Sequence, residues 1–167
     1  MPTNVLVTYA TKLGATASIA AAIGAELRSE GLQVEVREIG AVLAVTPYDA
    51  VVIGSAIYNG GWLPEAVRFL RRHERRLRTR RVWLFHSGPI GPSSHEEQPV
   101  PPEVARLARE FQAPPVKTFA GELQADAVLH DRDLERLVGD SRDWHEIRAW
   151  SRQIGTTLKA AEPTTSP

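Results

Sequence analysis

Asn4-Val5-Leu6-Val7-Thr8-Tyr9-Ala10-Thr11-Lys12-Leu13-Gly14-Ala15-Thr16-Ala17-Ser18-Ile19-Ala20 passes from a β-branched apolar run, through a turn of hydroxyls and one glycine, into an alanine-rich helical pattern. That order reads as strand, turn, helix. The amides at a helix N-terminus point outward unpaired and carry partial positive charge, so hydroxyls gathered there suit a phosphate. The spacing Thr11-x-x-Gly14-x-Thr16 is not a P-loop, because Lys12 precedes the glycine and no lysine follows to reach a terminal phosphate. Nor is it a dinucleotide fingerprint, which needs three glycines where only Gly14 stands. The turn therefore reads as a site for a single phosphate.

Working outward, apolar runs recur at residues 32–39, 50–55, 82–86 and 116–120, with helical patterns between most of them. Alternation of this kind predicts a parallel sheet. The runs at 4–9, 50–55 and 82–86 are nearly continuous in Val, Leu and Ile, as strands covered on both faces require. The run at 32–39 alternates apolar and polar and suits an edge. Gly31 stops the first helix, and Pro64 opens a second with Val67, Leu70 and Leu77 as its buried stripe. Pro101-Pro102 introduces a third, shorter helix, and a last one starts near Asp143 with Ile147, Trp150, Ile154 and Leu158 at helical spacing. The expected fold is α/β, a three-layer doubly wound parallel sheet of five strands in the order 2-1-3-4-5, over residues 1–160. Residues 161–167 read as a disordered tail.

In that topology ligands bind beyond the strand C-termini where the winding reverses, so the loops after strands 1, 3 and 4 should converge. The third-strand loop carries Ala56, Ile57, Tyr58, Asn59, Gly60 and Trp62, read as a flexible segment with two aromatics at the mouth of the site. The fourth-strand loop carries Ser87, Gly88 and Gly91 and reads as exposed. Glycines permit close backbone approach to a flat ring, and Tyr58 or Trp62 offers a stacking face. One phosphate and one planar ring point to FMN.

Composition bounds the alternatives. The 167 residues suit one domain, and with no cysteine there is no thiolate, disulfide or iron–sulfur cluster, so redox chemistry needs a borrowed cofactor. Twenty basic against twenty acidic residues argue against nucleic-acid binding. The densest charge is Arg68, Arg71, Arg72, Arg75, Arg76, Arg78, Arg80 and Arg81, read as a solvated helix face or as a dock for an acidic partner or an anionic membrane surface. No apolar stretch is long enough to cross a bilayer and Met1-Pro2-Thr3-Asn4 carries no leader, so a cytoplasmic protein is expected, peripheral at a membrane if the arginine face docks there. No histidine or carboxylate set has metal spacing. His73 reads as a surface residue, His95 with Glu96 and Glu97 as a weak acid/base candidate, and His130-Asp131-Arg132-Asp133 as a helix cap. Thr8 and Ser55 stand where a receiver domain needs aspartates.

On these residues the chain resembles the flavodoxin family over residues 4 to about 160. The resemblance implies that Thr11, Lys12, Leu13, Gly14, Ala15 and Thr16 hold the FMN phosphate. It further implies that Tyr58 stacks on the ring, that Asn59 and Gly60 meet its N5 side, and that Gly88 approaches the pyrimidine edge. Leu13 and Ala15 replace the threonine and asparagine common there, leaving backbone amides as donors. Tyr48 to Ile57, together with Asp143-Trp144-x-x-Ile147-x-x-Trp150, looks closer to the menaquinone-dependent protoporphyrinogen oxidases, although residues 124–142 are shorter than their insertion. The resemblance implies an FMN redox protein exchanging electrons with a redox partner protein or a quinone. The alternatives are a quinone-linked dehydrogenase of the protoporphyrinogen oxidase type and a flavin-free interaction module. A second stacking aromatic has no counterpart after strand 4, so His95 or Trp62 is expected to substitute.

Overall fold

The computed structural model describes residues 2–90, 94, 96–128 and 131–161, the side chains of Asp126, Ala127 and Leu134 excepted. The tail reading at 162–167 lies outside the described residues, as do Gly91, His95 and His130. Five strands form the parallel sheet: β1 (Asn4–Ala10), β2 (Gln33–Glu38), β3 (Ala50–Tyr58), β5 (Arg81–Ser87) and β6 (Lys117–Phe119). Their order is β2-β1-β3-β5-β6, so the expected doubly wound topology is what the chain adopts. Two additions went unforeseen: β4 (Gly61–Trp62) pairs antiparallel with the end of β3, and β7 (Glu122–Leu123) pairs with β8 (Gly139–Asp140) as a separate ribbon.

Helices cover both faces. On one lie α1 (Ala15–Ser29) and α6 (Trp144–Ala160), packed with Val5, Val7, Ile19, Ile23, Val52, Phe85 and Ile154. On the other lie α2 (Pro64–Arg72), the short α3 (Glu74–Leu77) and α4 (Pro102–Glu110), packed with Leu6, Val51, Ile53, Leu70, Leu84 and Leu107. A last short helix, α5 (Arg132–Glu135), follows β7, and Asp131 accepts from the Asp133 N–H at its start, 3.0 Å. The helix ends obey their local chemistry. Gly31 takes φ 89°, and the Leu32 N–H reaches the Leu27 carbonyl while Gly31 reaches Arg28, which is a Schellman closure of α1. Asp143 caps α6 through the Glu146 N–H at 3.1 Å.

Three local expectations give way to tertiary packing. The helix from Pro64 does not run through to Leu77 but breaks at His73, and its buried side is Ala66, Phe69 and Leu70, with Val67 only half-buried. His73, read as a surface residue, is 8% exposed and packs on Phe69 with ring centroids 4.5 Å apart. Burial and the Arg72 charge hold its pKa below the ordinary histidine value. The basic run is partly cross-linked: Arg71 pairs with Glu103, and Arg78 with Glu74 and Glu110. Arg68, Arg72, Arg75 and Arg76 are exposed and make no ion pair among the described residues. No helix among the described residues is long and apolar enough to cross a membrane.

Thr8 is fully buried in β1, and its Oγ1 has no hydrogen-bond partner among the described residues. A buried hydroxyl without a partner costs about 1–3 kcal/mol, and valine keeps the shape without it. Thr8→Val is therefore expected to raise unfolding free energy by about 1 kcal/mol in urea denaturation. A loss of stability would show that the hydroxyl is satisfied.

Candidate functional site

Because β1, β3 and β5 run parallel and in register, their C-terminal ends lie side by side: Ala10 beside Ser55, and Ala56 beside Ser87. The segments that follow enclose a cleft of about 370 Å³, within the range of small-ligand sites. Its walls are Thr11, Lys12, Leu13, Ala15 and Thr16 from the first turn, Ala56, Ile57 and Tyr58 from the end of β3, and Ser87, Gly88 and Ile90 after β5. Gly121, Glu122, Leu123 and Val128 complete it.

At the phosphate-type end, Gly14 precedes α1 with φ 94°, a left-handed backbone that an L side chain rarely adopts. Gly14 has no side chain to cap the helix, so the amides of Ala15, Thr16 and Ala17 have no intrahelical acceptor. The hydroxyls of the turn make hydrogen bonds within the protein, Thr11 as an acceptor only. Thr11 Oγ1 accepts from the Gly14 N–H at 2.9 Å, shaping the turn. Thr16, 1% exposed, is hydrogen-bonded to Ser87 Oγ at 2.9 Å and so ties the first turn to the end of β5. The backbone amides and the Thr11 hydroxyl proton are the open donors.

At the ring-type end, the segment after β3 is no flexible loop. Asn59 and Gly60 take φ 51° and 75°, the paired left-handed values of a two-residue Asn-Gly hairpin turn, and place Tyr58 opposite Gly61. Tyr58 stands half-exposed at the mouth of the cleft, while Asn59 and Gly60 sit in the turn beyond its walls. Trp62, expected at the mouth, is 6% exposed, and its indole N–H donates to His86 Nδ1 at 3.1 Å. It cannot serve as a stacking face. Ser55 holds the hairpin's exit, accepting from the Leu63 N–H at 3.0 Å.

The stretch after β5, expected to be exposed, begins inside the fold: His86 and Ser87 belong to the strand and are buried. His86 Nε2 lies 2.8 Å from Thr118 Oγ1. An indole N–H only donates, so His86 Nδ1 is the acceptor and Nε2 carries the proton. Burial pushes this imidazole down to about 4, so it is neutral at pH 7. Gly88 is fixed by crowding, since a Cβ there would lie 3.0 Å from Ile57 Cβ. Gly121 packs on it in turn, its own Cβ position being 3.2 Å from Gly88 Cα, and its N–H donates to the Pro89 carbonyl at 2.8 Å.

Sequence reading missed the wall after β6. A glycine placed just past the end of a strand, as Gly121 is, was its one visible signal. That wall is held by Arg142, whose side chain is 8% exposed and bridges Glu122 at 3.0 Å and Asp140 at 2.8 Å. The Arg142 hydrogen bonds hold the Asp140 carboxyl below the usual carboxylate range. Its guanidinium also covers Trp144 at 4.7 Å and lies 3.5 Å from the Ala15 carbonyl, joining the wall to the start of α1. No metal-binding cluster occurs among the described residues.

A three-layer α/β sheet with its cleft at the strand C-termini defines the class of ligand-binding doubly wound proteins. Residues 6–129 match the flavodoxin domain, and the chain belongs to that family. A search of curated proteins found no sequence match. Among solved structures, a flavodoxin from the domain Archaea is similar at 17% identity and TM-score 0.66, over 93% of this chain and 99% of that one. Oxidised flavodoxin 2 from Bacillus cereus is similar at 19% identity and TM-score 0.62, over 95% and 99%. Rubredoxin oxygen:oxidoreductase from Desulfovibrio gigas matches at 19% identity and TM-score 0.68 over 95% of this chain, which spans only 37% of its length. At these identities the likenesses establish the fold.

Proposed function

We propose that the cleft binds FMN non-covalently and that the protein transfers electrons through it. The observation that carries this reading is an uncapped α1 N-terminus at one end of the cleft and a half-exposed Tyr58 at the other, in a chain of the flavodoxin family. The donor set fits the group: outward amides and one lysine suit a phosphate, and an aromatic face with glycine-lined backbone suits a flat ring. Bound flavin supplies the one- and two-electron chemistry. The protein binds the phosphate at the first turn of α1, offers Tyr58 as a stacking face, and limits water on the inner side with Ile57, Leu123 and Val128. Simple electron transfer is favoured over quinone-linked porphyrinogen oxidation, because the segment between β6 and α6 folds back as a short wall clamped by Arg142. Anaerobic turnover of protoporphyrinogen with menaquinone by the FMN-loaded protein would overturn that preference.

The test is cofactor titration. FMN is expected to bind at least tenfold tighter than riboflavin, about 1.4 kcal/mol, because only FMN carries the anion that the α1 amides face. A purified protein that takes up no FMN, or that binds both equally, would overturn the reading.

A further inference from the structure

We propose that the groove between α2 and the turn at Ile39–Ala41 is a docking face for an anionic phospholipid surface, with Arg68, Arg72, Arg75 and Arg76 on the head groups and Leu43 in the acyl layer. The inference is independent of the FMN reading, because the groove and the cleft share no lining residue.

The groove encloses about 480 Å³. Ile39, Val42 and Phe69 line it and are buried, whereas Leu43, which lines it too, is 85% exposed, more than any other large hydrophobic among the described residues. An aliphatic side chain held in water gains by entering another apolar phase. The charge beside it is open. Arg68 and Arg72 line the groove and Arg75 and Arg76 follow on α3, all four exposed and without an ion pair among the described residues. The nearby Arg71 is taken by Glu103, and Glu74 is taken by Arg78 at 2.8 Å, so that carboxylate does not neutralise the row. Among the described residues only Glu65 brings a carboxylate to the groove wall. Guanidinium groups grip phosphate oxygens in pairs, and a cluster of about four to eight basic side chains on an amphipathic helix is what an anionic leaflet attracts. A protein interface has a centre depleted of charge and rich in aromatics, but no aromatic side chain lining this groove is exposed. The formal net charge of zero leaves the attraction to the patch itself. One leucine and a few arginines make a weak, reversible and salt-sensitive anchor.

The experiment is co-sedimentation of the full chain with sucrose-loaded vesicles, either of phosphatidylcholine alone or of equimolar phosphatidylcholine and phosphatidylglycerol. Binding to the mixed vesicles is expected to be at least about tenfold tighter than to phosphatidylcholine. It should weaken several-fold as salt rises from about 0.01 to about 0.15 M, over which the Debye length falls from about 30 to about 8 Å. Arg68→Gln should weaken binding several-fold, and Arg68→Gln combined with Arg72→Gln should abolish it. Arg148→Gln, which removes the same charge from an exposed position of α6 on the other face of the sheet, should leave it unchanged. Because the chain has no cysteine, Leu43→Cys can carry a single environment-sensitive dye, whose emission should move to the blue on the mixed vesicles only. No binding, equal binding to both vesicles, or Arg68 and Arg72 variants that match Arg148→Gln would overturn the inference. Displacement by soluble polyglutamate, with no blue shift of the Leu43→Cys dye on vesicles, would assign the face to an acidic protein and overturn it as well.

Discussion

Gly54→Ala is expected to be among the most destabilising single substitutions in the protein, by about 3 kcal/mol or more, although it adds one methyl group. A Cβ at Gly54 would lie 2.0 Å from Phe85 Cζ and 2.4 Å from both Cε atoms. The ring has no room to retreat. Phe85 is fully buried on the neighbouring strand and packs against Phe119 and Trp150, with centroids 5.9 and 6.0 Å away. Overpacking usually costs about 1–3 kcal/mol, and a clash against a locked aromatic ring belongs at the upper end. Gly40→Ala is the control, since nothing lies within 4 Å of its Cβ position and its φ is ordinary, so a change within about 0.5 kcal/mol is expected. Urea unfolding of both variants, with Phe85→Leu as a second-site substitution, reads the effect. A Gly54→Ala loss below about 1 kcal/mol, or no recovery with Phe85→Leu, would show that the strand slides rather than clashes.

Acidification should weaken the fold through His86. The imidazole titrates at about 4 in the folded protein against 6.5 unfolded, so between these values the unfolded chain binds a proton that the native state refuses. The contribution is complete above pH 6.5 and is lost as pH falls towards 4. A shift of this size corresponds to about 3 kcal/mol. The geometry gives the reason: a second ring proton would sit on Nδ1, facing the indole N–H of Trp62 at 3.1 Å, donor against donor. His86→Gln keeps one acceptor and one donor but does not titrate. Between pH 7 and pH 4 the wild type should lose about 3 kcal/mol more than this variant, measured by urea unfolding across the range. Parallel curves would place the acid sensitivity elsewhere, in His73 or the carboxylates.

Such effects arise where the sequence was least readable. The strands of the parallel sheet were legible because continuous Val, Leu and Ile runs have few other uses in a chain of this length, and Gly31 and Asp143 carry end signals that act within a few residues. The Asn59-Gly60 hairpin was not read, because the glycines of that segment suggested a flexible loop, although the dipeptide prefers the turn it adopts. Trp62 was misplaced because its burial depends on His86, an acceptor 24 residues away. His73 was misplaced because a polar residue in an arginine run is inside only when its helix breaks at it.

The sequence by itself determined the sheet, its order and the turn of α1 that opens the cleft, because each follows from local pattern and right-handed connection. Only the tertiary structure decided what lines the cleft: Thr16 tied to Ser87, Trp62 turned inward onto His86, and Lys12 seated on the Tyr58 ring. Those outcomes depend on pairs such as Thr16 with Ser87 and Arg142 with Ala15, 71 and 127 residues apart. Contacts at such separations leave no periodicity or local propensity in the chain. They exist only once the strands have brought their ends together.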